Sequence, residues 1–299
     1  MGLYKIAGIG EILWDIYPDY AKLGGAPTNF TYFVTKMGHM GITLSRIGRD
    51  EHGSKALDIL KNSGMDSNYI QVDSEHPTGT VDVVLDENAK PSYVINKDVA
   101  WDYISLDKSM LLLAENIEVV CFGTIAQRSP VSRKTIQGFL DALKKDTVKI
   151  FDINLRQDFY TKDNIMLSIK RSTILKLNSE EIILLKEMTD GEKYRDIDFC
   201  RVLIEKYGLE LICLTKGENG STIVNKEGDI SEHKGFKVEV KDTVGSGDSF
   251  TAAIAVCYLK GLDLDSMNDY ANRIASWTAS KEGGTPEPDD RFDDILGLY

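Results

Sequence analysis

The chain has 299 residues, with 35 Lys and Arg against 47 Asp and Glu and a net charge of −12. That length is enough to bury a sizeable core, and 42% hydrophobic with 27% charged residues excludes disordered, collagen-like and coiled-coil chains. The acidic balance excludes an extended nucleic-acid or anionic-membrane surface, which needs a basic footprint, while small anionic substrates stay open. Cys121, Cys200, Cys213 and Cys257 lie far apart with no CxxC spacing, so neither a disulfide framework nor a zinc site is signalled. The N-terminal segment has no signal-peptide pattern, and no stretch approaches the roughly 18 apolar residues of a membrane span. The expectation is a soluble cytoplasmic protein with no nucleic-acid or membrane partner.

In chain order, Lys5–Ile9 reads as an opening strand and Glu11–Tyr17 as a second segment alternating by two. Thr28–Met37 reads as a helix ending at Gly38, followed by a strand at Gly41–Ile47 and a helix at Gly53–Ser63 stopped by Gly64. Thr78–Leu85 and Ser92–Ile95 flank a turn-rich tip at Asp86–Pro91, which is a hairpin signal. Short apolar strands are expected at Val119–Phe122, Val148–Ile153, Ile174–Leu177 and Leu211–Thr215. Helical patterns fall between or beside them at Ser132–Lys144, Asn164–Lys170, Ser179–Glu187 and Asp196–Tyr207. This alternation predicts an α/β fold with a mostly parallel sheet and helices on both faces. The hairpin, with Glu11–Tyr17, predicts a small β lid on that sheet; a surface excursion without a role is the alternative.

The most informative segment is Lys237–Leu259. Lys237–Val240 reads as a strand running into a turn with Gly245, Ser246 and Gly247, after which an apolar helix starts near Asp248. Glycines at a helix mouth let backbone N–H groups converge, and the helix dipole favours an anion there. The segment lacks the Lys-Ser/Thr ending of a P-loop. It carries Asp248 instead, placed to accept a proton from a hydroxyl while the amides hold a transferring phosphate. Simple helix capping by Asp248 is the competing explanation.

A second glycine cluster, Gly24-Gly25-Ala26-Pro27-Thr28-Asn29, precedes the first helix and allows close ligand approach. Asn29 offers both donor and acceptor to a hydroxyl-rich molecule. Asp15 sits in an apolar stretch, where a carboxylate is costly unless partnered, and a pair of sugar hydroxyls would satisfy it. A solvent-facing Asp15 is the alternative.

These segments resemble the two signatures of the ribokinase-like (PfkB) carbohydrate kinases, Gly24–Asn29 the first and Asp242–Phe250 the second. Three blocks between them agree in order: Phe151–Arg156, Asn178–Glu181 and Thr215–Gly220. The resemblance implies a three-layer α/β/α core (1–11, 28–76 and 105–299) and a small β-sheet lid (12–27 and 77–104). It implies Asp248 as catalytic base and the N–H groups of Gly245, Ser246 and Gly247 as an anion hole. Asp15, Gly25 and Asn29 would hold sugar hydroxyls, and Arg156 would contact phosphate or an acidic group. Asn178 and Glu181 would order Mg²⁺ and phosphate through water, with an ordinary helix-start capping pair as the alternative. Thr215 and Gly217 would bind the nucleotide, and Asn272 would line an adenine pocket. The last of these competes with a solvated helix face. ATP and Mg²⁺ are the implied cofactors. A K⁺ site would use carbonyls near Asp242, Val244 and Gly283–Gly284 and stays open. Tyr93, Ile95 and Trp101 are candidates for the lid's apolar underside, with a plain core role as the alternative, and a homodimer through the lid follows by analogy.

Gly8-Ile9-Gly10-Glu11, the Gly-Gly-Ala-Pro segment and the Asp-x-Asn-x-Arg block look most like the fructokinase branch. A 2-keto-3-deoxygluconate kinase is the nearest rival and would want Arg156 or Arg128 near its substrate's carboxylate. A Rossmann dehydrogenase is excluded because Gly8-x-Gly10 lacks the third glycine. A non-catalytic sugar-binding protein of this fold would be expected to lack Asp248.

Overall fold

The computed structural model describes residues 2–85 and 91–298, with 84, 85 and 91–93 described by backbone alone. The expected tip at 86–90 and the side chain of Tyr93 lie outside the described residues. The strands are β1 (Lys5–Ile9), β2 (Leu13–Ile16), β3 (Ala21–Gly24), β4 (Met40–Gly48), β5 (Ile70–Asp73), β6 (Gly79–Leu85) and β7 (Pro91–Ile95). They continue with β8 (Val119–Phe122), β9 (Val148–Asp152), β10 (Ile174–Asn178), β11 (Leu211–Thr215), β12 (Ser221–Asn225) and β13 (Ile230–His233). The helices are α1 (Ala26–Lys36), α2 (Glu51–Asn62), α3 (Lys108–Ala114), α4 (Pro130–Ala142) and α5 (Lys162–Arg171). After them come α6 (Ser179–Met188), α7 (Asp196–Tyr207), α8 (Ser246–Lys260), α9 (Leu264–Ala279) and α10 (Asp290–Leu296).

Nine strands form one sheet in the order β13-β12-β11-β10-β9-β8-β1-β4-β5. It is parallel from β11 to β5, and β12 and β13 close one edge antiparallel. Buried strands read as apolar runs because both faces are covered. In β8, Val119 and Cys121 pack against α1, α8 and α9, whereas Val120 and Phe122 face the layer of α3 to α7. Helix α8 runs through the first of these layers, buried without a break from Ser249 to Cys257, and three alanines in that run let neighbouring helices approach closely.

The chain order reverses at β1, which has β4 on one side and β8 on the other. Such a switch point leaves a crevice beyond the carboxyl ends of the strands. A second, four-stranded mixed sheet, β3-β2-β6-β7, stands over that crevice as the lid.

Two expectations need correction. Lys237–Val240 forms no strand: β13 ends at His233, Gly235 takes a left-handed φ of 76°, and the chain leaves the sheet. The backbone of Lys241 then donates to the Ala279 carbonyl at 2.9 Å instead of joining a ladder. Helix α1 begins at Ala26, two residues before the expected Thr28, because Pro27 suits a first turn. Strands β3 and β5 are four-residue, half-buried segments that carry little period-two signal in the sequence.

Asp50 fixes the lid's root. It accepts from Gly53 N at 2.7 Å as the cap of α2, and from Thr78 N and Oγ1 at 2.7 Å each at the entrance to β6. Asp50→Ala is expected to lower unfolding stability by about 2 kcal/mol, since a cap and two charge-assisted hydrogen bonds are lost together. Urea denaturation measures this.

Candidate active site

A cleft of about 1410 Å³ runs from the lid across the carboxyl ends of the strands to the first turn of α8. Asp15, Gly25, Asn29, Arg156, Asn178, Thr215, Gly217, Gly245, Ser246, Gly247, Asp248 and Asn272 all line it. Residues separated by more than 250 positions in the chain therefore share one space. Glu181 is absent from that lining, as described below.

Gly245 is the N-cap of α8, at φ 76°, and a Cβ there would lie 2.2 Å from the Gly284 carbonyl oxygen. Only glycine fits. Ser246 turns its hydroxyl to the Ala275 carbonyl at 3.0 Å, so the extra oxygen relative to alanine points into the α8–α9 contact. Its N–H, one of the three expected to form the anion hole, donates to the Thr243 carbonyl at 3.3 Å. Gly245 and Gly247 are the better donors for an anion. Beneath them lies Lys176, whose Nζ would be 3.1 Å from a Cβ on Gly247.

Lys176 was not expected from the sequence, although a lysine in the apolar run of β10 poses the same problem as Asp15 in β2. It is buried and pairs with Asp152 Oδ1 at 3.0 Å, while Thr251 Oγ1 donates to Asp152 Oδ2 at 3.1 Å. Burial pushes the ammonium's pKa down, but Asp152, Glu181 and Asp248 outweigh it and hold the group charged above its ordinary value.

Asp248 occupies the third position of α8, so it does not cap the helix. Its Oδ2 accepts from Asn29 Nδ2 at 2.8 Å. Burial, and then the Asp152 charge, raise its pKa to about 6, against the lowering effects of Asn29, Lys176 and Arg156. A carboxylate of that kind is ionised at neutral pH yet more basic than an exposed aspartate. The Oδ1 of Asn29 is buried without a partner, and a buried acceptor left open in a cleft is suited to a ligand hydroxyl.

Glu11 is the second residue the sequence did not single out for a role. It follows β1 directly at the switch point. Its Oε1 accepts from Ala26 N at 3.2 Å, satisfying the first amide of α1. Gly25, at φ 112°, passes so close to the Glu11 carbonyl that a Cβ would lie 2.3 Å from it. Burial raises the Glu11 carboxyl pKa to about 7, and the neighbouring Asp248 adds to this. Asp15 is raised to about 6 by burial and by Asp242, with Lys22 acting the other way. Three carboxyl groups therefore line the half of the cleft under the lid, together with Val81 and Ile95. Trp101 is a core residue, fully buried with its ring 4.0 Å from the Arg128 guanidinium.

Asn154 joins the cleft at a left-handed φ of 44°, and Gln157 sits at 49°, on either side of exposed Arg156. The Thr124 hydroxyl on the Ile153 carbonyl at 2.8 Å holds this loop, as does Glu181 Oε1 accepting from Leu155 N at 2.9 Å. Glu181 Oε2 accepts from Asn178 N at 2.7 Å in a capping box whose other half is Asn178 Oδ1. With both oxygens on backbone amides, Glu181 positions two loops and offers no direct contact to the cleft.

Towards the other end, Thr215, Gly217 and the segment Lys234–Val240 form one wall, with half-buried Phe236 among them. Asn272 is buried, not solvated: its Nδ2 donates to Ser221 Oγ at 2.7 Å and to the Asn268 carbonyl at 2.8 Å. Arg128 is drawn away from the cleft. It pairs with Asp102 through Nε at 2.9 Å and Nη2 at 2.8 Å.

Residues 21–290 match the pfkB family of carbohydrate kinases, and the chain belongs to that family; it is a carbohydrate kinase. It is 29% identical over 310 residues to the uncharacterized sugar kinase PH1459 of Pyrococcus horikoshii, covering 97% of this chain and 94% of that protein. The structure of PH1459 in complex with ATP superposes with a TM-score of 0.81 at 27% identity, over 98% of this chain and 97% of the other. A fructokinase of Escherichia coli is 25% identical over 84% of this chain and 83% of its own length. The ribokinase-like fold expected from the sequence is therefore the observed one. No helix among the described residues is long and apolar enough to cross a membrane.

Carbon-13 titration of the Asp248 carboxyl is expected to show a midpoint near 6. Asn29→Leu removes a hydrogen bond to the ionised form, so the midpoint should move upward.

Proposed function

We propose that this carbohydrate kinase transfers the γ-phosphoryl group of ATP to a hydroxyl of a neutral monosaccharide, with fructose the expected acceptor. The observation that carries this reading is the position of Asp248. Its carboxylate lies at the head of α8 beside the Gly245 and Gly247 amides and above Lys176, in the same cleft as Asp15, Asn29 and Glu11.

Asp15, the Asn29 amide and the Gly25 backbone hold sugar hydroxyls, and Glu11 adds a fourth polar edge. The Asp248 carboxylate takes the proton of the attacked hydroxyl as its oxygen bonds to the γ-phosphorus. The bond from that phosphorus to the bridging oxygen breaks, and ADP leaves. The Gly245 and Gly247 N–H groups, with Lys176, face the charge on the transferring group, where fixed donors stabilise most. Thr215, Gly217 and Asn272 bind the nucleotide, and the lid excludes water when the sugar is held.

Asp248, Asp152 and Glu181 already have protein partners, and no cluster of three metal-binding side chains occurs among the described residues. This donor set fits a hard cation that keeps its waters and arrives on the nucleotide phosphates. Asn178 and Asp248, both in the cleft lining, would hold it through water, and when bound it would neutralise phosphate charge.

Three carboxyl groups against the single arginine of the sugar half favour a neutral acceptor. The rival is a keto-deoxy acid, with Arg156 on its carboxylate; the chain is 24% identical to a 5-dehydro-2-deoxygluconokinase of Bacillus licheniformis. ADP release measured over a panel of sugars and sugar acids decides between them. Turnover only with an acid overturns fructose, and no turnover with any member favours a binding protein of this fold. With the accepted sugar, Asp248→Asn should lower kcat by about a thousandfold while leaving ATP affinity within about threefold, because a proton acceptor is lost and the amides are not. Equal loss of ATP binding would count against the base assignment. For the parent enzyme, kcat/KM should fall as pH drops through about 6, where Asp248 takes up its proton.

A further inference from the structure

Asp242 joins the two loops that shape the phosphate end of the cleft. Its Oδ1 accepts from Val244 N at 3.0 Å, in the turn before α8, and its Oδ2 accepts from Gly283 N at 3.0 Å. The next residue, Gly284, is wedged between Gly245 and Asn29: its carbonyl blocks any Cβ on Gly245, and a Cβ of its own would lie 3.1 Å from Asn29 Nδ2. The placement of Gly284 therefore sets both an anion-facing amide and the partner of Asp248. This is the region where a family-type potassium site would draw its carbonyls.

The residues present do not fit that ion. Lys22, on lid strand β3, places its Nζ 3.7 Å from Asp242 Oδ2, and its chain runs along the Gly283 backbone with Cδ 3.6 Å from a Cβ built there. The same ammonium lies 5.4 Å from the Tyr20 ring centroid and 6.0 Å from that of Tyr17, two rings stacked at 4.5 Å. The Lys22 ammonium already faces the Asp242 carboxylate, and a second cation beside it would be repelled. Lys22 also pairs in register with Asp15 across β2 and β3. One residue thus joins, through its backbone, the strand that carries a sugar-facing acid and, through its side chain, the loop that carries the phosphate-facing amides.

We infer that Lys22 is a tethered counter-cation: it does for the Asp242–Gly284 loop what a bound monovalent ion would otherwise do, and it ties that loop to the lid. This rests on the kinase reading above. Lys22 is a positioning residue, since its ammonium reaches the phosphate site only through Asp242. Withdrawing it leaves the Asp242 charge uncompensated behind the Val244 and Gly283 amides and loosens the 283–284 turn. Because the charge arrives on the lid strand, nucleotide-loop order and lid position are coupled without any diffusible ion.

The test compares the parent, Lys22→Ala and Lys22→Arg in KCl and in tetramethylammonium chloride at equal ionic strength, read both by ADP release and by melting temperature. The parent and Lys22→Arg should be indifferent to the cation in both readouts. Lys22→Ala should lose about fivefold in kcat/KM for ATP, the upper range for a half-exposed ion pair. Potassium, but not tetramethylammonium, should restore most of that loss and raise the variant's melting temperature. A parent that needs potassium overturns the inference, and so does a Lys22→Ala variant that loses nothing or is equally impaired in both salts. A parent that turns over no sugar fails the proposed function instead, and the melting readout still decides the role of Lys22.

Discussion

The hydrogen bond from Asn29 Nδ2 to Asp248 Oδ2, at 2.8 Å, ties together the first turns of α1 and α8, and the geometry of the cleft depends on it. Each helix presents its positive end there, and each is entered through a glycine at positive φ, Gly25 or Gly245. Glu11 satisfies the first amide of α1, whereas no side chain caps α8. The α1 end is thereby closed by the protein, and the α8 end is left without a side-chain cap. Under the proposed function, that asymmetry divides one cleft into a sugar half and a phosphate half.

The two halves differ in electrostatics for the same reason. Under the lid, burial raises Glu11, Asp15 and Asp248 towards neutrality, which suits groups that exchange hydrogen bonds with hydroxyls. Below α8, Lys176 is buried among acids and stays charged. Burying an ion pair such as Lys176–Asp152 adds little net stability once desolvation is counted. Under the proposed function, its position under Gly247 fixes a positive charge where the transferring phosphate would lie. The strained backbone at Asn154 and Gln157 fits the same pattern, since unfavourable φ values persist where surrounding contacts over-determine them. For Asn154, Thr124 and Glu181 supply those contacts on the flanking Ile153 and Leu155.

Much of this was legible in the sequence because the informative residues are local exceptions. Glycine pairs before helices, an aspartate in an apolar strand and an acid in the first turn of an apolar helix each violate a local preference, and each marks the cleft. Lys176 is an exception of the same type, set in the run Ile174–Leu177, and could have been found by the same reasoning. Glu11 could not, since nothing adjacent to it reveals that its oxygen reaches Ala26. The Asn178–Glu181 pair was legible as a motif, but only the structure shows that Glu181 spends both oxygens on backbone amides. The strand expected at Lys237–Val240 failed because alternation states which residues suit a strand, not whether a neighbour is free to pair with it.

By itself the sequence determined the alternation of strands and helices, the glycines that admit positive φ, and the chemical types gathered at the helix starts. All of these are set by side-chain size, backbone freedom and hydrophobic period within a few residues. The tertiary structure alone decided that Lys22 meets Asp242, that Arg128 turns to Asp102 and away from the cleft, and that Asn29 meets Asp248. Those pairings depend on the order of strands in the sheet, which sums weak packing preferences over the whole chain and leaves no mark at any one position.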